Sequence, residues 1–401
     1  MEYRTYRGER LSEVGLGCYG VGGAYGAKDP DQFVGLFRRA VELGVTFFDT
    51  ADVYGPGEQV LGRALAPFRD RVWIATKVGA SEGGKPDCSR AHIVAACEQS
   101  LRRLGVEQID LYQIHFDDPQ TPVAETVGAL DELAAAGKIR YYGVGHLSPG
   151  RVAEYLVAGH VFSMLIELSA VARGALERTA PLCRAHGVGL IAFSVTGRGL
   201  LTGAIGPDTA FGADDIRRLD PLFQRARRAS GLRIAGEMRK LGERYGKSPV
   251  QVAIAWVLAH PNVVCALTGP STVVHLEENL GGSGWTIHAD DLAALDCLLK
   301  AEDERLRREQ VAELCAILEG EPLPEQAFTD LVYVLETLVE LGLAEEQQVM
   351  PAFRQLWVLR ADPDPTELAR IHAGLQEQFL PVVKDRSSDD SPPGRSQRGR
   401  R

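Results

Sequence analysis

Apolar positions along the first three hundred residues alternate between two rhythms. Short β-rich runs occur at Thr46–Thr50, Val72–Val78, Asp110–His115, Ile139–Val144, Ser163–Leu168, Gly189–Phe193 and Val263–Leu267, and Glu13–Cys18 supplies an eighth. Between them lie segments with helical spacing. In Asp31–Leu43 the residues Phe33, Leu36, Phe37, Ala40 and Val41 share one face, and Gly44 stops the helix. Arg90–Leu104 stops at Gly105, and Val123–Ala136 stops at Gly137. Strand, helix and strand repeated with glycine at the helix ends predicts parallel βα units. Seven or eight such units in about 300 residues predict a closed (β/α)8 barrel, fold class α/β.

An open doubly wound sheet is the rival, because Gly15-Leu16-Gly17-Cys18-Tyr19-Gly20 matches the GxGxxG turn of dinucleotide-binding folds. Its surroundings oppose that reading. Three glycines among Val21–Gly26 make a poor helix start, so the motif reads as a Gly-rich loop after the first strand.

The pattern changes after Leu299. Ala301–Arg308 is almost all charged and reads as the exit of a helix; from there to about Lys384 the spacing is helical. Leu331, Val334, Leu335, Leu338 and Leu341 form an apolar stripe closed by Gly342. Asp364-Pro365-Thr366-Glu367 opens a helix through Leu368, Ile371 and Leu375. The expected organisation is a barrel over residues 1–300, a helical C-terminal extension over 301–384 and a disordered tail over 385–401. The βα units are complete before Glu309, so the barrel is expected to fold without the extension. The extension is expected to pack on the barrel, to self-associate or to bind a protein partner.

Composition narrows the function classes. With 54 acidic against 44 basic residues and a net charge of −10, binding to nucleic acid through broad phosphate neutralisation is not expected. No apolar run reaches the roughly 18 residues a membrane helix needs, and the charged start MEYRTYRGER does not read as a secretory signal. Seven scattered cysteines without a CxxC pair predict neither a zinc site nor disulfides, and a reducing cytoplasm is the expected compartment.

In a parallel barrel chemistry gathers at the C-terminal strand ends. Asp49 stands after the second run with Tyr54 five residues on, Lys77 after the third and His115 after the fourth. Each alone has an ordinary structural explanation; together, at successive strand ends, they point to a site. A phenol titrates at about 10, and a neighbouring Lys77 is expected to lower that value. Asp49 would hold Lys77, and His115 would hydrogen-bond a carbonyl oxygen that Tyr54 protonates as general acid. The hydride must come from a cofactor.

These residues carry a resemblance. Thr46-Phe47-Phe48-Asp49-Thr50-Ala51-Asp52-Val53-Tyr54-Gly55, Ala75-Thr76-Lys77-Val78, Asp110–His115, Gly137–Gly145, Gly197-Arg198-Gly199-Leu200-Leu201-Thr202-Gly203 and Leu276–Leu280 occur in order over roughly residues 5–300. The sequence resembles the aldo-keto reductases. That resemblance implies a (β/α)8 barrel, NADPH-dependent reduction of a small-molecule aldehyde or ketone, and the roles above for Asp49, Tyr54, Lys77 and His115. It implies a cofactor site at Gly145, His146, Phe193, Ser194, Gly197, Arg198, Gly199, Leu200, Gly203, Gly269, Ser271, Thr272, His275, Glu278 and Asn279.

Several of those positions depart from the family pattern. Gly145-His146 stands where the family has the Ser-Asn pair that holds the nicotinamide amide. An apolar residue, Leu165 or Ile166, replaces a Gln, and Phe193 replaces the stacking Tyr. Thr272 and His275 stand where Lys or Arg often meets the 2′-phosphate, which leaves NADH as the alternative cofactor. Tyr19, Tyr25, Trp73 and Phe116 are candidates to line the mouth, and Asp117 and Asp118 give it an acidic rim. The segment 202–230 carries Arg217, Arg218, Arg225, Arg227 and Arg228 and reads either as a solvated surface or as a lid with an anion clamp. Against the enzyme stands a second reading, a cofactor-binding sensor or scaffold that acts through the extension.

Overall fold

The structure is a computed structural model that describes residues 1–80, 85–321, 326–359 and 363–388. Strands β1 (Tyr3–Tyr6) and β2 (Glu9–Ser12) form an antiparallel hairpin. Eight parallel strands follow: β3 (Val14–Gly17), β4 (Phe47–Asp49), β5 (Trp73–Val78), β6 (Ile109–Ile114), β7 (Ile139–Gly145), β8 (Ser163–Glu167), β9 (Gly189–Phe193) and β10 (Val263–Thr268). They close in sequence order, with β10 pairing back onto β3. All eight expected strands are present, and the architecture is the (β/α)8 barrel.

The helices between strands form where spacing and caps coincide. Helix Pro30–Glu42 starts behind Asp29, whose carboxylate accepts from the Asp31 amide at 2.9 Å, and buries Phe33, Leu36, Phe37, Ala40 and Val41. Helix Arg90–Leu104 ends at Gly105, held in the left-handed region at φ 67°. The barrel interior is filled by Phe47, Ala75, Leu111, Leu165, Ile191, Cys265 and Leu267. The GxGxxG motif serves this packing. A Cβ at Gly15 would lie 2.8 Å from Cys265 Sγ and 3.0 Å from the Phe47 carbonyl, so only glycine fits the strand there.

The hairpin was not expected from the charged N-terminus. It turns at Arg7 and Gly8, both at positive φ, and closes the N-terminal end of the barrel. The Tyr6 hydroxyl donates to the Phe162 and Gly187 carbonyls and accepts from the Gly189 amide. Trp73 belongs to this floor rather than to the mouth. As the first residue of β5 it stacks on Tyr141 at 5.7 Å, at the opposite end of the barrel from the last residues of the strands.

The chain divides into two compact units, Met1–Ile216 with Leu232–Ala294, and Arg217–Gly231 with Leu295–Arg401. The second therefore takes a piece of the long connection after β9 as well as the C-terminal run. Ala301–Arg308 is no helix exit. One helix runs unbroken over Ala289–Glu319, because the charged stretch lacks Gly and Pro and is braced by pairs such as Arg305–Glu309 at 2.8 Å. Helices Ala327–Glu340, Glu346–Leu359 and Pro365–Ser388 follow. Leu314, Leu318, Leu331, Val334, Leu335, Leu338, Leu368, Ile371 and Leu375 bury one another in a core within this unit. The last helix runs to Ser388, past the expected start of the tail at Asp385; residues 389–401 lie outside the described residues.

Candidate active site

Strand β4 delivers Asp49 at its last position, β5 delivers Lys77 and the residue after β6 is His115, so three neighbouring strands aim three polar side chains into one mouth. Asp49, Lys77 and His115 are 4%, 1% and 5% exposed. The Lys77 ammonium donates to Asp49 Oδ1, and to the Thr50 carbonyl at 2.7 Å. Gln113 Nε2 donates to the other Asp49 oxygen at 3.0 Å. Tyr54 follows on the loop after β4. Its phenol hydrogen-bonds Lys77, whose nitrogen is 4.8 Å from the Tyr54 ring centre. The His115 ring meets Tyr54 edge-on at 5.6 Å. The four candidate catalytic residues are thus one constellation.

Burial opposes the charge on Lys77, but Asp49 and Tyr54 outweigh it and hold the ammonium above the ordinary lysine value. Burial pushes Asp49 up while Lys77 and Gln113 pull it back. For Tyr54 the outcome reverses the expectation from charge alone. Burial raises the phenol above its ordinary value of 10 by more than Lys77 lowers it. Tyr54 therefore stays protonated at neutral pH, the state an acid needs. Burial, then Lys77 and His146, pull His115 down to about 2, so its imidazole is neutral.

The other half of the mouth comes from the ends of β7 to β10. His146 follows Gly145 with φ 52°, its ring open to the mouth. It lies 5.4 Å from His115 and 5.0 Å from Phe193, joining the catalytic side to the end of β9. Desolvation by the protein packed around it, then Lys77 and Arg198, lower it to about 4. The loop after β9 holds Ser194, Gly197, Arg198, Gly199 and Gly203 at positive φ. A Cβ at Gly197 would lie 2.7 Å from Val171 Cγ2. Leu200 is wholly buried and its amide donates to the Gly197 carbonyl, so it anchors this loop. Arg198 pairs with Glu167 at 3.0 Å. After β10 come Gly269 and Ser271, then Thr272, which caps helix Val273–Leu280 by accepting from the His275 amide at 3.2 Å. Glu278 and Asn279 lie on that helix, Asn279 buried.

A family model, described as the aldo/keto reductase family, matches residues 13–300. The chain belongs to the aldo/keto reductase family. It is 32% identical over 311 residues to the aldo-keto reductase YhdN of Bacillus subtilis (strain 168), covering 75% of this chain and 94% of that protein. It is 34% identical over 296 residues to the probable aldo-keto reductase 1 of Glycine max, covering 71% and 85%. Among solved structures it resembles the glycerol dehydrogenase AKR11B4 from Gluconobacter oxydans, with TM-score 0.69, 33% identity and coverage of 75% and 95%. It also resembles the holo form of aldo-keto reductase AKR11C1 from Bacillus halodurans, with TM-score 0.63, 28% identity and coverage of 74% and 96%.

Two departures of this aldo-keto reductase from the family pattern are packed against each other. Leu165, not Ile166, is the residue turned into the barrel. A Cβ at Gly145 would lie 3.1 Å from the Leu165 Cβ, so a serine at 145 would crowd the leucine. The acidic rim expected from Asp117 and Asp118 does not form. Asp118 is buried and accepts from the Cys88, Gln120 and Thr121 groups, and Asp117 pairs with Arg151 at 2.8 Å. The exposed rim carries Tyr19, Val53 and Phe116 instead. Nor are all the arginines of 202–230 available as an anion clamp, since Arg225 pairs with Asp330 and Arg227 with Glu340.

Sequence reading missed Gln113. The signal was present: Leu111 faces the barrel interior, so residue 113 of the same strand faces it too, and a buried amide there needs a partner. It also missed the buried Glu58, which accepts from Thr76 on β5 at 2.6 Å and from Arg103 at 2.5 Å.

Proposed function

We propose that this aldo-keto reductase reduces an aldehyde or ketone to an alcohol with NADPH, Tyr54 supplying the proton. The observation that carries the reading is the buried order Asp49–Lys77–Tyr54, with the neutral His115 ring across from the phenol. The residues fit a dinucleotide. Phe193 offers a half-buried ring at the end of β9, the loop 194–203 is bent by left-handed residues, and the Thr272-capped helix start favours an anion. These residues would hold the nicotinamide cofactor, which would supply the hydride for the carbonyl carbon. As the carbonyl π electrons move onto oxygen, the Tyr54 O–H gives up its proton, and the Lys77 ammonium stabilises the phenolate left behind. His115, being neutral, orients the same oxygen by donating a hydrogen bond and exchanges no proton. Solvent returns the proton to Tyr54 after the alcohol leaves.

The rim of Tyr19, Val53 and Phe116 favours an apolar or aromatic carbonyl compound over a polyol-derived one. Loss of NADPH absorbance with benzaldehyde and glyceraldehyde tests both statements. Turnover with a higher kcat/KM for benzaldehyde is expected. Cofactor binding without turnover of any carbonyl compound would instead favour a sensor or scaffold.

A further inference from the structure

We propose that Gln113 is a positioning residue for the proton donor: it holds the Asp49 carboxylate, and through Asp49 and Lys77 it aims the Tyr54 phenol. The proposal rests on Tyr54 supplying the proton. Gln113 stands on β6 directly beside Lys77 of β5, and its side chain reaches past that neighbour to Asp49 on β4. A carboxylate only accepts, so the Nε2 group must face it. That bond takes Asp49 Oδ2 at 3.0 Å, while Lys77 takes Oδ1. The last torsion of an aspartate is soft. One bond leaves the carboxylate free to turn, and a second on the other oxygen fixes its plane. The consequence passes to Lys77. An ammonium has three N–H groups, and here Asp49, the Thr50 carbonyl and the Tyr54 phenol take one each. With Asp49 and Thr50 fixed, the third is directed at Tyr54.

Packing does not account for an amide at this place. Gln113 is wholly buried, and Leu111, two residues earlier on the same face, belongs to the apolar interior. On its other side β7 presents Gly143, where a Cβ would lie 3.4 Å from Gln113 Cγ. Gln113 Oε1 has no hydrogen-bond partner among the described residues. An orphaned buried acceptor is destabilising, and a leucine would fill the volume without one. What the amide supplies and leucine does not is the bond to Asp49. The titratable groups around Asp49 and Gln113 are Lys77, Tyr54, the neutral His115 and the Cys18 and Cys265 thiols, which burial keeps protonated. Strands β7 and β8 present only Gly143 and Ser163 at this level.

The test compares the full-length protein with Gln113→Leu, Gln113→Glu and Gln113→Glu combined with Asp49→Asn. Steady-state kinetics with benzaldehyde from pH 5 to 9, fluorescence titration of NADPH and denaturant unfolding are read together. Gln113→Leu is expected to lower kcat about tenfold or more at every pH, as misplaced groups do. The NADPH Kd should stay within about twofold. In Gln113→Glu the new carboxyl can replace the amide donor only while it holds a proton. Facing Asp49, it titrates above the usual value of about 4.3. At pH 5 kcat should lie within about threefold of the wild type, and by pH 9 it should fall to the level of Gln113→Leu. That descending limb, where the wild type is flat, is what a merely structural residue would not produce. A flat profile for Gln113→Glu, or wild-type kcat for Gln113→Leu, would overturn the proposal. Should Gln113→Leu fail to fold, Gln113→Glu, which keeps the shape, decides alone. Stability gives a readout independent of turnover. With its pKa raised in the fold, the new carboxyl favours the folded state fully below about 4.3 and loses that contribution as pH rises through the folded value. Adding Asp49→Asn removes the facing carboxylate and should cut this loss at least by half; an undiminished loss would mean that burial alone causes it, and the proposal falls. If the unaltered protein turns over no carbonyl compound, the functional reading falls, while the unfolding comparison still decides whether residue 113 must donate to Asp49.

Discussion

The two halves of the mouth were built under different constraints. On the β4–β6 side, Asp49, Lys77 and His115 are buried, Asp49 is paired with Lys77, and Tyr54 hydrogen-bonds Lys77 and meets the His115 ring edge-on. Each buried charge there has its partner, and removing one member would leave another unpaired in low dielectric. On the β7–β10 side, Gly145, His146, Leu165 and His275 replace the polar and cationic residues the family pattern has, and His146 and His275 are open to solvent. A buried ionic chain tolerates no single substitution, whereas an open binding surface loses only one contact at a time, about 1 kcal/mol for a neutral hydrogen bond. The Gly145–Leu165 packing shows that even there a change at one position sets what its neighbour can be.

The comparison breaks most sharply at the phenol. Tyr54→Phe should lower kcat about 10²–10⁴-fold, the range of general acid catalysis, and leave the NADPH Kd unchanged. Wild-type turnover by that variant would remove Tyr54 from the chemistry. On the other side the effects should be smaller and fall on binding. Leu165→Gln restores an amide beside Gly145 and should tighten NADPH about fivefold, one hydrogen bond's worth. Gly145→Ser alone should give no gain, because the new side chain meets Leu165; calorimetric titration separates the two. His275→Arg, on the exposed first turn of helix Val273–Leu280, should widen the ratio of NADH to NADPH dissociation constants about fivefold, chiefly by tightening NADPH. An equal gain for NADH would show that the 2′-phosphate lies elsewhere.

The smallest expected effect is a flat profile. His115 lies near 2 in the fold and Tyr54 above 10, so neither titrates between pH 5 and 9, and kcat for reduction should show no limb there. A limb near 6.5 would mean that His115 exchanges protons. Stability should carry the opposite mark. A histidine lowered from 6.5 to about 2 stabilises the fold fully above 6.5 and loses that contribution as pH falls toward 2. The stability difference between the wild type and His115→Gln should therefore shrink below pH 6.5, which denaturant unfolding at several pH values will measure.

The strands were legible because each is a short buried run between helices whose ends glycine or a cap marks, as at Gly105 and Asp29. The gathering of Asp49, Tyr54, Lys77 and His115 was legible because parallel strands deliver their last residues to one end, so position in the sequence becomes position in the mouth. Where that translation failed, the reason was depth. Trp73 was placed at the mouth although it opens β5, and the first residue of a strand lies at the opposite end from the last. Asp117 and Asp118 read as a rim charge, yet one pairs with Arg151 and the other turns inward to cap a loop, which their own segment does not reveal.

Local sequence by itself determined the barrel, its order and the candidate catalytic residues, because hydrophobic period, turn chemistry and strand ends are all local properties. Only the tertiary structure decided the balance at Tyr54, where burial outweighs a neighbouring ammonium, since desolvation depends on every atom packed around the phenol. It also decided which unit owns Arg217–Gly231. Those residues lie within the barrel's stretch of sequence, but the carboxylate partners of Arg225 and Arg227 lie about a hundred positions further on. No periodicity within one segment can announce an ion pair that folding alone brings together.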